Sequence, residues 1–381
     1  MWGGGGGGPG MTDKRTLKRT PFYEFHLARK AKMVAFAGFE MPVQYPTGIT
    51  REHEIVRTSV GVFDVSHMGE FEITGPDRNA FVNRLTCNDF GSLSEGQAQY
   101  TALLTDRGTF IDDCLVYRFD DKVMMVVNAA NVGKDWQHVL KYKEGINVRV
   151  KNISDEVALL ALQGPDSEAL LQSLTKINLS GIGYYRFDAG SVAGIQCFVS
   201  RTGYTGEDGF ELYFRPRAAE TMWHALVGSG RAAPVGLGAR DSLRLEMGYA
   251  LYGNDIDDTV NPYEAGLGWI VKLGKGARFL GERALREAKE RGPARRLVGF
   301  TCKEKGVIPR PGYAVYLGER KVDVVRSGGF SPSLKHAIGT TYLPTHSVNP
   351  GTAIAIDCRG KRVAAEVVKL PFYKSGSVKR G

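Results

Sequence analysis

The chain has 381 residues, 43% hydrophobic and 24% charged, with a formal net charge of +9. That length exceeds one ordinary core, so two or three domains are expected, and no apolar run approaches eighteen residues, which excludes a membrane-crossing helix. The charge is uneven: residues 266–381 hold 23 Lys and Arg against 8 Asp and Glu, a balance of +15, and residues 1–265 balance at −6, so the last third offers a basic body to an acidic partner or a polyanionic small molecule.

In chain order, Met1–Gly10 (MWGGGGGGPG) is a glycine run with nothing to bury. With the basic, hydroxyl-rich stretch TDKRTLKRT, whose composition is shared with the ends of organelle transit peptides, it leads us to assign residues 1–19 as a disordered linker, with Met11 the expected natural start. Glu70–Thr74 alternates as a strand, turns at Gly75-Pro76-Asp77 and enters a helix over Arg78–Leu85. Strands follow at Tyr100–Leu104, Cys114–Phe119 and Val123–Asn128, then a helix from Val132 to Tyr142. The order recurs: a strand over Val157–Gln163 runs into Gly164-Pro165-Asp166 and a helix over Ser167–Leu174, which suggests two weakly related α+β halves within residues 20–295. Another strand at Phe210–Phe214 precedes a helix at Gly238–Glu246, and EAKERGPARR reads as a charged linker near residues 290–296. Beyond it, short strands at Leu297–Thr301, Ala314–Tyr316, Val322–Arg326, Ala337–Tyr342, Thr352–Ile356 and Arg362–Lys369 suggest a small antiparallel β-barrel over residues 296–381.

The glycines of Gly3–Gly8 follow no strand, and no GxxxxGK[ST], HExxH or CxxC is present, which argues against dinucleotide, nucleoside triphosphate and structural zinc chemistry. The five cysteines are far apart in sequence and read as buried thiols in a reducing compartment. Among seven histidines only His67 sits in a turn-like, polar setting, where a structural role outweighs a catalytic one. The basic region lacks the aromatic interleaving or recognition helix of a nucleic-acid module.

Three segments could carry chemistry. In Ile111-Asp112-Asp113-Cys114, adjacent carboxylates on a strand face opposite ways, so one should point inward, with a partner or a raised pKa, and the other toward solvent or its own backbone. The inward one could handle a proton or grip an amine; a turn-stabilising aspartate pair is the plainer reading. In RTGYTGEDGFE, Arg201–Glu211, glycines permit close approach and the acids can accept hydrogen bonds from an amino-substituted ring, unless the segment is a surface hairpin. On the helix from Gly238, Arg240 and Arg244 share a face and could grip a carboxylate, unless Asp241 or Glu246 occupies them.

DVSHMGEFEITGPD, QYTALLTDRGTFIDDCLVY, LALQGP, RTGYTGEDGFELY, ARDSLRLEMGYALYGNDID, PSLKHAIG and KLPFY, in order between about Thr20 and Lys374, together resemble the aminomethyltransferase, or T-protein, family of the glycine cleavage system. The resemblance implies a three-domain cloverleaf binding tetrahydrofolate near its centre, without metal. The implied reaction moves the methylene carbon of an aminomethyl group, carried on the lipoyl arm of H-protein, to tetrahydrofolate, giving 5,10-methylenetetrahydrofolate, ammonia and dihydrolipoyl H-protein. P-protein and L-protein would be functional associates, and the mitochondrial matrix the location, with bacterial cytoplasm as the alternative. Matched motif by motif, Asp113 would be the acid beside the reacting folate nitrogens. Glu211 would hold the pterin and Tyr100 pack on it, Asn128 and Arg240 would line the pocket, and Tyr204 would shape it. The tail Pro371-Phe372-Tyr373-Lys374 departs from the PFVP sequence after which some relatives place a ligand-contacting tyrosine, so that contact is not carried over. Rival readings are a folate-dependent demethylase of the same fold family and a non-catalytic folate-binding factor for iron–sulfur assembly.

Overall fold

A computed structural model of the chain describes residues 17–228, 230–304 and 306–378. Residues 1–16 of the expected linker lie outside the described residues, but its end does not fit that reading: ordered structure begins before residue 20. The short strand β1 (Lys18–Arg19) is held by the Lys18 N–H, which donates to Gly38 O at 2.9 Å. It pairs in parallel with β3 (Phe39–Gln44), reached through α1 (Tyr23–Ala28) and β2 (Lys32–Phe36). Helix α2 (Ile49–Thr58) leads from this small sheet into the body.

Two sheets then interlock. Strand β4 (Gly61–Asp64) precedes β5 (Gly69–Thr74), helix α3 (Arg78–Leu85) and the meander β6 (Gln97–Leu104), β7 (Phe110–Arg118) and β8 (Lys122–Val127). Helix α4 (Val132–Lys143) and β9 (Arg149–Asn152) follow. The pattern repeats as β10 (Ala158–Gln163), α5 (Ser167–Gln172), and the meander β11 (Phe187–Val192), β12 (Ile195–Ser200) and β13 (Gly209–Phe214). After α6 (Ala219–Trp223), β14 (Ala233–Val235) lies parallel to β4, and α7 (Leu237–Glu246) closes this part. One sheet has the order β6-β7-β8-β5-β9, the other β11-β12-β13-β10-β4-β14. The leading strands are exchanged: β4, just before β5, pairs with β10, while β9, just before β10, pairs with β5. Both Gly-Pro-Asp turns need their glycine, because Gly75 and Gly164 have φ of 107° and 133° and an added Cβ would strike Asn147 O or Ser59 O.

The expected charged linker is instead the end of a helix. Helix α8 (Glu282–Arg291) buries Leu285 and Ala288 and leaves its charged face in solvent, so only Gly292, Pro293 and Ala294 separate it from β15 (Arg295–Cys302). Strands β16 (Ala314–Leu317), β17 (Arg320–Val324), β18 (Gly328–Ser331), β19 (His336–Pro344), β20 (Ala353–Cys358) and β21 (Lys361–Val368) complete an antiparallel sheet of order β17-β16-β20-β21-β15-β19-β18, curled as a half-barrel around Phe300, Val315, Ile356 and Val363. A central core draws Val65, Ala98, Tyr117, Leu159, Tyr213 and Leu243 from both inner sheets and α7. All five cysteines are free thiols, four of them buried. Among the described residues no helix is long and apolar enough to cross a membrane, and no cluster of His, Cys, Asp and Glu is gathered for a metal.

Candidate functional site

Strand β7 sits between β6 and β8, and its alternation sends Asp112, Cys114 and Val116 to one face and Asp113, Leu115 and Tyr117 to the other. The expectation that one carboxylate would face solvent or its own backbone does not hold, because α4 roofs the far face. Asp112 is fully buried there, accepting from the Asn128 N–H at 3.1 Å, Asn128 Nδ2 at 2.9 Å and Asn131 Nδ2 at 2.7 Å. Asp113 is half-buried on the central face, where Tyr100 OH donates to Oδ2 at 3.0 Å and Asn128 Nδ2 to Oδ1 at 2.9 Å. Burial first, then the charge of Asp112, pushes the Asp113 carboxyl up to about 7, against the hydrogen bonds from Tyr100 and Asn128. It therefore changes charge near neutrality.

Tyr204 connects this carboxyl to the other expected residues. Its hydroxyl donates to Ala250 O, its ring stacks on Tyr249 at 5.6 Å, and the Arg240 guanidinium lies 4.8 Å above it. Asp113 and Arg240 both act on the Tyr204 phenol electrostatically, and Arg240 in turn favours the charged form of Glu211. Glu211, in the middle of β13, accepts from Thr202 Oγ1, and burial raises its pKa. Asp113, Tyr100, Asn128, Tyr204, Arg240 and Glu211 thus belong to one connected neighbourhood.

Arg244 does not join it. Both arginines lie on α7, but Arg244 is buried and spent on Asp241 at 2.6 Å and Asp255 at 2.9 Å, so the expected two-guanidinium grip is one guanidinium. Arg240 makes no hydrogen bond to an acceptor among the described residues and rests against the ring of Tyr204. His67 is in a turn, but the setting is apolar: the ring packs on Phe36 and Phe39, and burial first, then Arg240, brings its pKa down to about 4.

Two residues escaped the sequence reading. Trp269, 59% exposed, stacks on Tyr100 at 5.9 Å and extends the aromatic wall beside Asp113; its indole is flagged only by an isolated Trp in a glycine-rich loop. Glu70 faces the centre from β5, with both carboxyl oxygens buried and lacking a hydrogen-bond donor among the described residues, and burial first, then Glu211, raises its pKa well above the usual range. An acid whose folded pKa lies above its unfolded one stabilises the fold below the unfolded pKa and loses that contribution as pH rises. Glu70→Gln should therefore raise the Tm at pH 8 by about 2 °C or more and have a smaller effect at pH 4; equal shifts at both pH values in scanning calorimetry would rule this out.

The chain matches two family models, the GCVT N-terminal domain over residues 22–275 and the glycine cleavage T-protein C-terminal barrel domain over residues 295–374. It is 48% identical over 359 residues to an aminomethyltransferase of Rubrobacter xylanophilus, covering 94% of this chain and 95% of that one. It is also 48% identical over 365 residues to an aminomethyltransferase of Bacteroides thetaiotaomicron, covering 94% and 100%. Among solved structures it is similar to the glycine cleavage system aminomethyltransferase T from Bartonella henselae, with a TM-score of 0.90 and 35% identity over 96% of this chain and 100% of that one.

Proposed function

The chain belongs to the aminomethyltransferase family of the glycine cleavage system, and on that footing we propose that it transfers the methylene carbon of aminomethyl-lipoyl H-protein to tetrahydrofolate, yielding 5,10-methylenetetrahydrofolate, ammonia and dihydrolipoyl H-protein. The single observation that carries the site reading is Asp113, a carboxyl fixed by Tyr100 and Asn128 on the central face, in the same neighbourhood as the guanidinium of Arg240 and the carboxyl of Glu211.

The donor set fits a reduced pterin. Glu211 can accept from an amino-substituted edge, Tyr100 and Trp269 offer a flat aromatic wall, and Arg240 can donate to a carbonyl or carboxylate. When bound, the folate supplies the amine nitrogens that receive the carbon. Asp113, fixed by Tyr100 and Asn128, orients those nitrogens, opposes positive charge developing at the transferred carbon and can take up a proton there. Tyr204, tied to Ala250 O and covered by Arg240, keeps the guanidinium aimed inward.

For the carrier, a groove of about 640 Å³ is lined by Lys272, Arg286 and Lys289 against Asp89 and Glu290, with Lys275 in its wall tied to the carbonyls of Asn83, Thr86 and Asn88. It suits the acidic surface expected of H-protein, with P-protein and L-protein as functional associates in the same pathway. Docking of H-protein should weaken as ionic strength rises from about 0.05 to 0.5 M; an affinity unchanged over that range in a titration would remove this groove from the proposal. The named relatives are bacterial, which favours a cytoplasmic setting over the expected mitochondrial matrix.

The deciding assay supplies aminomethylated H-protein and follows ammonia and 5,10-methylenetetrahydrofolate together. Both should appear in equal amounts and only with tetrahydrofolate. Turnover of sarcosine or dimethylglycine in place of H-protein would mark a demethylase, and folate binding without ammonia release would mark a non-catalytic factor.

A further inference from the structure

Behind Asp113, on the face of β7 roofed by α4, lies a second buried acid that the proposed reaction does not use. Asp135, on the first turns of α4, is fully buried, and neither of its carboxyl oxygens finds a donor among the described residues. Its carboxyl lies within hydrogen-bonding reach of Asp112. Two buried carboxyls so close repel strongly when both are ionised, and a proton shared between them removes that repulsion. Three N–H groups already point at Asp112, two from Asn128 and one from Asn131, and favour its charged form. None points at Asp135, so the proton belongs there.

The other groups around the pair agree with this assignment. Lys134, from the same helix, donates its amine to Tyr252 OH at 2.8 Å and acts on Asp135 through its charge alone. Asp113 and Cys114 come from β7, and Tyr252, Asp257 and Asp258 from the loop after α7, none of them cationic, which leaves Lys134 as the one cation of the group. Burial, then the charge of Asp112, holds the Asp135 carboxyl far above the usual range, with Lys134 opposing.

We propose that Asp135 is a positioning residue that stays un-ionised and donates its proton to Asp112, so that Asp112 remains a charged, fixed anchor for Asn128 and, through Asn128, for Asp113. Asp112 then accepts from both Asp135 and Asn128, and Asn128 donates to both Asp112 and Asp113, so the four side chains form one hydrogen-bonded network set before folate arrives. The proposal rests on Asp113 as the reacting carboxyl.

The test reads ionisation rather than turnover. Full-length protein carrying ¹³C at aspartate carboxyl carbons is titrated without folate, with the signals of residues 112, 113 and 135 assigned by single Asn variants. The Asp135 carbon should keep the shift of a protonated acid to pH 8, while Asp112 keeps that of a carboxylate. Asp135→Asn retains an N–H donor and should leave the Asp113 midpoint in place. Asp135→Leu removes the donor, so the Asp112 carboxyl loses one fixed hydrogen bond, and the Asp113 midpoint should move by about half a pH unit or more. A merely structural Asp135 would let both variants lower the Tm with no movement of that midpoint, which would overturn the proposal. An Asp135 carbon titrating below pH 6 in the unsubstituted protein would overturn it as well, even if the Leu variant fails to fold. Because no substrate is present, this network can fail while the transfer reaction stands, and the reverse.

Discussion

Asp113→Asn is expected to lower kcat by about 10²-fold or more, the range over which a placed proton-transfer group acts. The amide keeps the shape of the side chain and its oxygen can still accept from Tyr100 OH, while its NH2 then meets Asn128 Nδ2, so the loss reports the missing charge and proton site together with that one hydrogen bond. The same substitution should stabilise the folded chain. Asp113 has a folded pKa raised to about 7, so its contribution to stability is present below the unfolded value near 4 and is lost as pH rises through 7. At pH 8 the Asn variant should therefore melt higher than the parent, while at pH 4 the two should agree, a trade of stability for activity. Steady-state kinetics with aminomethylated H-protein, together with melting curves at the two pH values, check both halves. A kcat within threefold of the parent would end the assignment of Asp113.

The largest stability effect should come from Glu246→Gln. Glu246, fully buried at the end of α7, accepts from Arg57 Nη2 at 2.8 Å on α2, and from Ser333 N and Oγ at 3.0 and 2.8 Å in the turn after β18, with His53 Nε2 3.2 Å away. One carboxylate therefore ties three parts of the chain together. Burial pushes its pKa up, but His53, Ser331 and Arg57 outweigh that and hold it down to about 2. Its stabilisation is present above the unfolded pKa near 4.5 and is lost as pH falls from there toward 2. Removing one partner of a buried ion pair leaves the other uncompensated and costs about 3–5 kcal/mol. Urea unfolding at pH 7 should show that loss, and the Gln variant should depend less on pH between about 2 and 4.5. A loss below 1 kcal/mol would mean that water or rearrangement satisfies Arg57.

The fold was largely readable where pattern and packing agree. Arg78–Leu85 is a helix end to end, and the strands around the two Gly-Pro-Asp turns and most of the half-barrel strands fall where alternation places them. Gly328–Ser331 was missed because Gly-Gly-Phe-Ser has no β-branched residue and owes its pairing to β19. EAKERGPARR misled because an exposed helix face and a charged linker have the same composition, and only Leu285 and Ala288 disclose the buried stripe. In the site, long motifs carried the named residues, but partner choice did not follow from spacing. Arg240 and Arg244 are four apart on one helix, yet Asp255, from the loop beyond, claims only the second. Glu70 resembled any alternating strand residue, since the absence of a donor around it depends on the other sheet. Asp135 was concealed likewise within an ordinary amphipathic helix.

The exchange of leading strands has a further consequence. A fragment ending at Asn152 would keep the sheet β6-β7-β8-β5-β9 whole but hold β4 without β10 and β14, and its complement would expose the edge of β10 that β4 covers in the middle of the other sheet. No cut between β4 and β10 leaves both sheets complete, so division into autonomous modules there is closed to this chain.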